Sequence, residues 1–318
     1  MAGNAWTGAV NGESYLANND LSKSIRHAAQ PLQKFRQFTT LEDGRLKKKG
    51  EYKLISRIAN VSTAGSSTGI TETARTPESK VVYTQASVQI IEYGNSIPWT
   101  GKLENLSEFD INNNDAVCLR DDMAKTLNTA CAAAFTGNYL KYTPTGTDSE
   151  PEATWATGGT VSATATRNIQ IWDTKQIVDT MIETYIIPRY DGENFMSIMP
   201  SFSLRCLFDD DEYNKALLYG NPELLFAGEV NRYYKTRYVE DDHALSSTLG
   251  TTSYKGTGVF FGRDAVAEVV CEPEELRRKL SVDYGRDKGV GWFFTGGWDE
   301  VYNVATAGFV KIVHVTSV

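Results

Sequence analysis

The sequence predicts an α+β fold, and three observations carry the prediction. Residues 49–100 read as two long strands joined by a polar tip. Residues 114–139 read as one long helix. The remainder alternates short strands with short helices, without a repeat and without a clean linker. With 318 residues the chain exceeds the usual single core, so one large or two modest domains are expected.

The two-strand stretch is the clearest element. Glu51 to Ile58 alternates residue by residue, with Tyr52, Leu54 and Ile58 on one face and Lys53 and Arg57 on the other. The return limb over 80–93 is rich in Val, Ile, Thr and Tyr and sets Val82, Thr84, Ala86, Val88 and Ile90 against Tyr83, Gln85, Ser87 and Gln89. Small polar residues, 61–69, form the tip. A two-stranded hairpin is marginal alone in water and cannot bury both faces on its own chain, so a second copy of the protein is the economical cover.

Before the hairpin, residues 1–46 lack sustained periodicity and read as an N-terminal arm. One short amphipathic segment follows Pro31, with Leu32, Phe35, Phe38 and Leu41 at helical spacing. The basic run Arg45 to Lys49 reads as a solvated turn, or as a charge contact with an acidic neighbour. After the hairpin, Asn112, Asn113, Asn114 and Asp115 suit a helix start. Ala116, Met123, Leu127, Ala130 and Ala134 mark the expected buried stripe of a helix of about 39 Å. Residues 143–167 read as loops and short strands anchored by Trp155. A second helix is expected from Asp173, with Gln176 in a capping box, a buried face of Ile177, Val178, Met181, Ile182 and Tyr185, and Pro188 as its stop. Phe195 to Met199 reads as an apolar strand before Pro200, and a helix carrying Phe202, Cys206 and Leu207 follows. The clearest late strands are 259–262, 267–271 and 309–315.

Composition excludes several classes of function. The 40 acidic and 32 basic residues leave a net charge of -8, unsuited to a dedicated nucleic-acid binder. No apolar run reaches the roughly 20 residues of a membrane span, and no secretory signal opens the chain. Cys118, Cys131, Cys206 and Cys271 are scattered, and read as buried free thiols in a reducing cytoplasm.

The catalytic patterns are weak. Gly65-Ser66-Ser67-Thr68-Gly69 has nucleophile-elbow spacing, but Pro77 and the short polar stretch before it leave no room for the helix an elbow needs. His27, His243 and His314 are far apart. The acidic runs 209–212 and 240–242 lack calcium-loop spacing and read as solvated faces. Gly256 and Gly258 precede a strand, the wrong order for cradling phosphate. Gly289, Gly291, Gly296 and Gly297, among Trp292, Phe293, Phe294 and Trp298, read as turns beside aromatic anchors. No enzyme, cofactor or metal site is expected.

The order of elements resembles the major capsid protein of tailed bacteriophages, the Hong Kong 97-like fold, and is most similar to the phage N4-like coat proteins. Three stretches carry the likeness. The first runs from Lys49-Gly50-Glu51-Tyr52 through Thr71-Glu72-Thr73 to Glu92-Tyr93-Gly94-Asn95. The second is Asn194 to Pro200. The third is Phe261-Gly262-Arg263-Asp264-Ala265-Val266 with the Gly-rich 287–298 and the last strand, 307–315. The resemblance implies an N-terminal arm (1–46), an extended β-hairpin loop (47–100), a peripheral domain with a spine helix (101–168, completed by return strands in 263–318) and an axial domain (169–262). It further implies hexamers and pentamers tiling an icosahedral shell around double-stranded DNA, built in the host cytoplasm and resident in the virion. The partners implied are other copies, a separate scaffolding protein, a portal, and decoration or cement proteins, without a membrane. Candidate intersubunit contacts are Lys49, Tyr52, Arg57, Glu72, Arg75, Glu78, Lys80 and Tyr83 on the loop, and Arg26, Phe35, Arg36 and Phe38 on the arm. No local motif matches the side chains that cross-link the type member. The negative charge suits a shell through which DNA must slide. The alternative is an encapsulin-type nanocompartment shell, and a hydrolase using Ser67 is a distant third.

Overall fold

The computed structural model describes residues 33–43, 50–58, 69–70, 72–73, 75–76, 78, 80–107, 110–161, 163–210, 232–245, 256–280, 284, 286–303 and 310–317. Three sheets organise them. A four-stranded sheet runs in the order β1 (Thr40–Asp43), β11 (Val266–Arg278), β12 (Asp287–Glu300), β4 (Ile91–Thr100). A seven-stranded sheet runs β6 (Pro151–Ala156), β5 (Lys141–Gly146), β13 (Ile312–Thr316), β10 (Thr257–Phe261), β7 (Phe195–Met199), β9 (Thr236–Glu240), β8 (Arg232–Tyr233). The third sheet is the hairpin alone, β2 (Tyr52–Ile58) antiparallel to β3 (Tyr83–Gln89).

Helix α1 (Gly101–Leu106) follows β4, and α2 (Ile111–Thr136) is the long helix. It has the expected 26 residues but starts earlier, because Asp110 Oδ1 accepts from Asn113 N at 3.2 Å and so caps it. Its buried stripe also differs from the expected one. Leu119, Leu127, Cys131 and Phe135 face the core with Met123 half-buried between them, a four-residue spacing, while Ala116, Ala130 and Ala134 are half-exposed. The first two-thirds of α2 packs Leu119 and Leu127 on Val290, Trp292 and Phe294 of β12. The rest of α2 packs Cys131 and Phe135 on Phe261, Ile198 and Ile312 of the larger sheet.

The seven-stranded sheet is buried on both faces, and this is why its central strands read as unbroken apolar runs. Met196, Ile198, Val259 and Phe261 point towards α2. Phe195, Met199, Phe260, Val313 and Val315 point the other way, onto α3 (Ile171–Glu183) and α4 (Ser201–Phe208). Helix α3 opens two residues before Asp173, with Gln170 as N-cap and Asp173 itself completing the capping box. It ends at Glu183, ahead of Pro188.

Four expectations need correction. The Gly-rich 287–298 is no set of turns. It is most of β12, a 14-residue strand whose glycines bring other chain segments close. A Cβ on Gly297 would collide with the Gln89 carbonyl oxygen, so glycine there lets β3 lie directly on β12. The hairpin also ends sooner than expected. Residues 91–100 leave it and pair with β12 from Ile91↔Gly296 to Thr100↔Asp287. The lobe boundaries near 168 and 262 cut through one sheet, since β5, β6 and β13 join β7, β9 and β10 in it. Backbone pairing across those cuts makes the larger sheet one unit. Finally, Cys131 is buried while Cys118 is exposed and Cys206 and Cys271 are half-buried, and the four are not joined in disulfides.

Candidate assembly interface

The hairpin has two unlike faces, and their orientation reverses the simple expectation. Its inward face is Ile55, Arg57, Ala86 and Val88, which packs beside Ala267, Val269 and Val301 of the four-stranded sheet and its exit. Its outward face carries the larger apolar side chains. Tyr52, Leu54, Ile58 and Tyr83 are 51%, 57%, 62% and 70% exposed. Ile58 and Tyr83 stand directly opposite each other in the ladder, so their side chains form one cross-strand pair. Val82 and Ile70 extend the exposed apolar set towards the tip. These side chains share the outward face with Ser56, Gln85, Ser87 and Gln89, and exposed apolar side chains gathered on one face mark an interaction site.

Arg57 belongs to the opposite face. It is 9% exposed, and its Nη1 donates to Val301 O at 2.6 Å and to Asn303 Oδ1 at 3.2 Å. It therefore anchors the hairpin to its own chain. Glu72, Arg75, Glu78 and Lys80 are exposed, and Arg75 pairs with Glu78 at 2.6 Å. Lys49 and the tip with Ser67 lie outside the described residues.

The residues expected on the N-terminal arm divide in the same way. Phe35 is fully buried between Phe135 of α2 and the larger sheet, so it belongs to the core and offers no contact surface. Arg36 is held by Glu268 at 2.7 Å and by Glu274, both on β11. Phe38 stacks edge-on against Tyr190 and Phe261. Asn128 of α2 fixes this segment: its Oδ1 accepts from Lys34 N at 3.0 Å and Phe35 N at 3.2 Å, and its Nδ2 donates to Asp241 at 3.0 Å. Residues 34–43 are thus part of the fold. Arg26 and His27 lie outside the described residues.

Other predicted residues have structural roles. Asp241 is 2% exposed, not solvated, and its Oδ1 accepts from His243 N and Ala244 N. Asp242 accepts from Ser201 N at 2.6 Å at the start of α4. His314 is buried in β13. Among the described residues no cluster of His, Cys, Asp and Glu could hold a metal ion, and no helix is long and apolar enough to cross a membrane.

Sequence reading missed a second exposed apolar group. Leu103 and Leu106 of α1, Leu276 near the end of β11, and Leu280 and Tyr284 of the β11–β12 connection are exposed at one end of the four-stranded sheet. Gly101 N bonds to Arg286 O at 2.8 Å, which brings α1 to that end. The signal was hidden because Leu276 alternates with Arg277 in a stretch that also fits an ordinary surface strand.

No protein-family model matches this chain, and no curated protein matches it. Solved structures do. The capsid of Helicobacter pylori bacteriophage KHP30, in an acid-stable structure, aligns with a TM-score of 0.70 at 12% identity over 97% of this chain and 98% of that one. The capsid of cyanophage Pam1 gives 0.68 at 13% identity over 99% of both chains. The capsid of Ralstonia phage GP4 gives 0.67 at 11% identity over 98% of both. At these identities the likeness is one of fold, and the α+β architecture described above is the Hong Kong 97-like capsid fold.

Proposed function

We propose that this chain is the major capsid protein of a tailed bacteriophage, a structural shell subunit and not an enzyme. The observation that carries the reading is the outward apolar face of the hairpin, Tyr52, Leu54, Ile58 and Tyr83, on a chain that phage capsid structures match over nearly its whole length. In this reading copies form hexamers and pentamers of an icosahedral shell around double-stranded DNA, resident in the virion and assembled in the host cytoplasm. Each hairpin lies over an adjacent subunit through its outward face and its Glu72–Lys80 stretch. A separate scaffolding protein, a portal and decoration or cement proteins are the further partners. The four-stranded sheet with α2 serves as the peripheral lobe, and the seven-stranded sheet with α3 and α4 as the axial lobe. The three stretches around Lys49–Asn95, Asn194–Pro200 and Phe261–Val315 support a placement near the N4-like coat proteins.

The test is sedimentation velocity with negative-stain microscopy on the same fractions, with and without co-expressed scaffold. Rings, sheets or closed shells are expected. Leu54→Asp combined with Ile58→Asp should abolish them while leaving the subunit folded, as should deletion of residues 61–78. A monomer under both conditions would overturn the reading.

A further inference from the structure

The face of the four-stranded sheet turned away from α2 is covered at one end and grooved at the other. Val290, Trp292 and Phe294 of β12 point into α2, so Gly289, Gly291, Phe293 and Gly297 face the opposite way. The hairpin covers that face at Gly297, where the Gln89 carbonyl lies against the strand. Towards the start of β12 the same face holds a trough of about 510 Å³, and no hairpin residue lines it. Its floor is Gly289 and Gly291, which pair with Pro98 and Ser96 of β4, and the Phe293 ring is among its walls.

A knob stands beside the trough. Lys279 N donates to Gly289 O at 2.8 Å, and from there the chain leaves the sheet. Leu280, the next residue, is 86% exposed, and Tyr284 is fully exposed. Tyr284 is held at a φ of 54°, a left-handed conformation that costs an aromatic residue strain. Two bulky apolar side chains therefore stand next to a trough whose floor carries no side chains.

Charge favours another copy of this chain as the occupant. The net charge of -8 makes copies repel over much of their surface. At this end the charges are paired instead: Arg277 with Glu275, Lys279 with Asp287, and Lys288 with Glu104 at 2.8 Å. Arg277 and Lys279 line the trough already neutralised, and Arg278, its third cation, lies in the field of Glu104. Such walls suit an apolar side chain better than an anionic segment.

We propose that the knob of one copy seats in the trough of the next, with Leu280 and Tyr284 against Pro98, Gly291 and Phe293. Knob and trough are unlike surfaces of one molecule, so the contact is heterologous. Each copy gives its knob to one neighbour and receives the knob of another, which closes a ring about an axis at this end. The inference rests on the reading of the chain as a shell subunit and deepens it. One cyclic contact closes a ring and stops, so a shell needs a second contact. The outward face of the hairpin supplies one, and this end joins the resulting rings to each other.

Cysteine cross-linking of purified full-length subunits tests the contact. Ser96→Cys in the trough and Tyr284→Cys on the knob are made separately, each with Cys118→Ser because Cys118 is exposed. They are then mixed and treated with a short bis-maleimide. The mixture should give a linked dimer that neither variant gives alone, and adding Leu280→Asp to the Tyr284→Cys copy should abolish it. In negative stain, Leu280→Asp with Tyr284→Asp should lose closed shells and keep rings, whereas Leu54→Asp with Ile58→Asp loses the rings too. Both knob positions are exposed, so their substitution leaves the core untouched. No mixed product, equal product from Tyr284→Cys alone, or closed shells from the knob variant would each overturn the contact. Wild-type shells without the mixed product would sink the contact and leave the shell reading standing. A mixed product from a chain that forms neither rings nor shells would do the reverse.

Discussion

Asp173→Ala is expected to destabilise the subunit by about 3–5 kcal/mol, the cost of stripping a buried cation of its partner. Asp173 has no exposed surface, and the Arg167 side chain is 2% exposed. Two charge-assisted bonds join them, Nη1 to Oδ2 at 2.5 Å and Nη2 to Oδ1 at 2.7 Å. The same carboxylate accepts from Tyr142 OH and, at 2.8 Å, from Gln170 N at the head of α3. Burial and then Asp173 push the Tyr142 hydroxyl up, so it stays a donor. After substitution Arg167 keeps the carbonyls of Thr145 and Glu152, each at 2.8 Å, but loses the carboxylate bonded to it and retains only the more distant charge of Asp148. Lost capping adds about 1 kcal/mol, and the surviving carbonyl acceptors offset a similar amount. Removing both charges as Arg167→Met with Asp173→Leu should cost less than Asp173→Ala alone, because no unpaired charge stays buried. Urea unfolding of the subunit measures both, with Trp172 fluorescence as a local probe, since the Arg167 guanidinium lies 5.6 Å from its ring. A loss below about 1 kcal/mol for Asp173→Ala would refute the reasoning, as would a double variant worse than the single one.

Three further outcomes follow from the same geometry. Gly297→Ala should cost about 1–3 kcal/mol and raise amide exchange in β3, because its Cβ needs the space of the Gln89 carbonyl; unchanged exchange would mean that the strands separate freely. Asn128→Ala leaves Lys34 N and Phe35 N without their acceptor. About 1–3 kcal/mol is expected, read as a lower unfolding midpoint in urea. Burial, with repulsion from Lys141, pushes the His314 imidazole down to about 3. Its proton binds the unfolded chain more tightly, so stability should fall as pH drops below 6.5, by at most about 1.4 kcal/mol per unit, and His314→Gln should flatten that limb.

Much of the fold was legible because hydrophobic period and capping chemistry are local. Phe195 to Met199 with Pro200, the Ile177, Val178 and Met181 face of α3, and the 26-residue length of α2 could all be read from spacing. What could not be read depends on neighbours far along the chain. Glycine signals a turn when its own backbone freedom is wanted, but β12 uses it to admit a second strand, and nothing near Gly297 announces Gln89. The α2 stripe was misjudged because Ala130 and Ala134 fit a helix face as well as Cys131 and Phe135 do, and only the position of Phe35 and Phe261 decides between them. Asp241 looked solvated because its partners, Asn128 and the 243–244 amides, come together only in the folded chain.

The hairpin shows where local reading reverses. Alternation separates two faces but does not say which one is inside. The usual rule would turn Tyr52, Leu54 and Ile58 inward and leave Arg57 in water. The chain does the opposite, because the space between hairpin and β12 is narrow at Gly297 and takes Ala86 and Val88, while Arg57 reaches a carbonyl and an amide that water would otherwise serve. A hairpin that exposes its larger apolar side chains and buries a cation instead is poorly optimised for a monomer. That imbalance is removed if the outward face is covered by another copy, so the same alternation that misleads about the subunit points to its assembly.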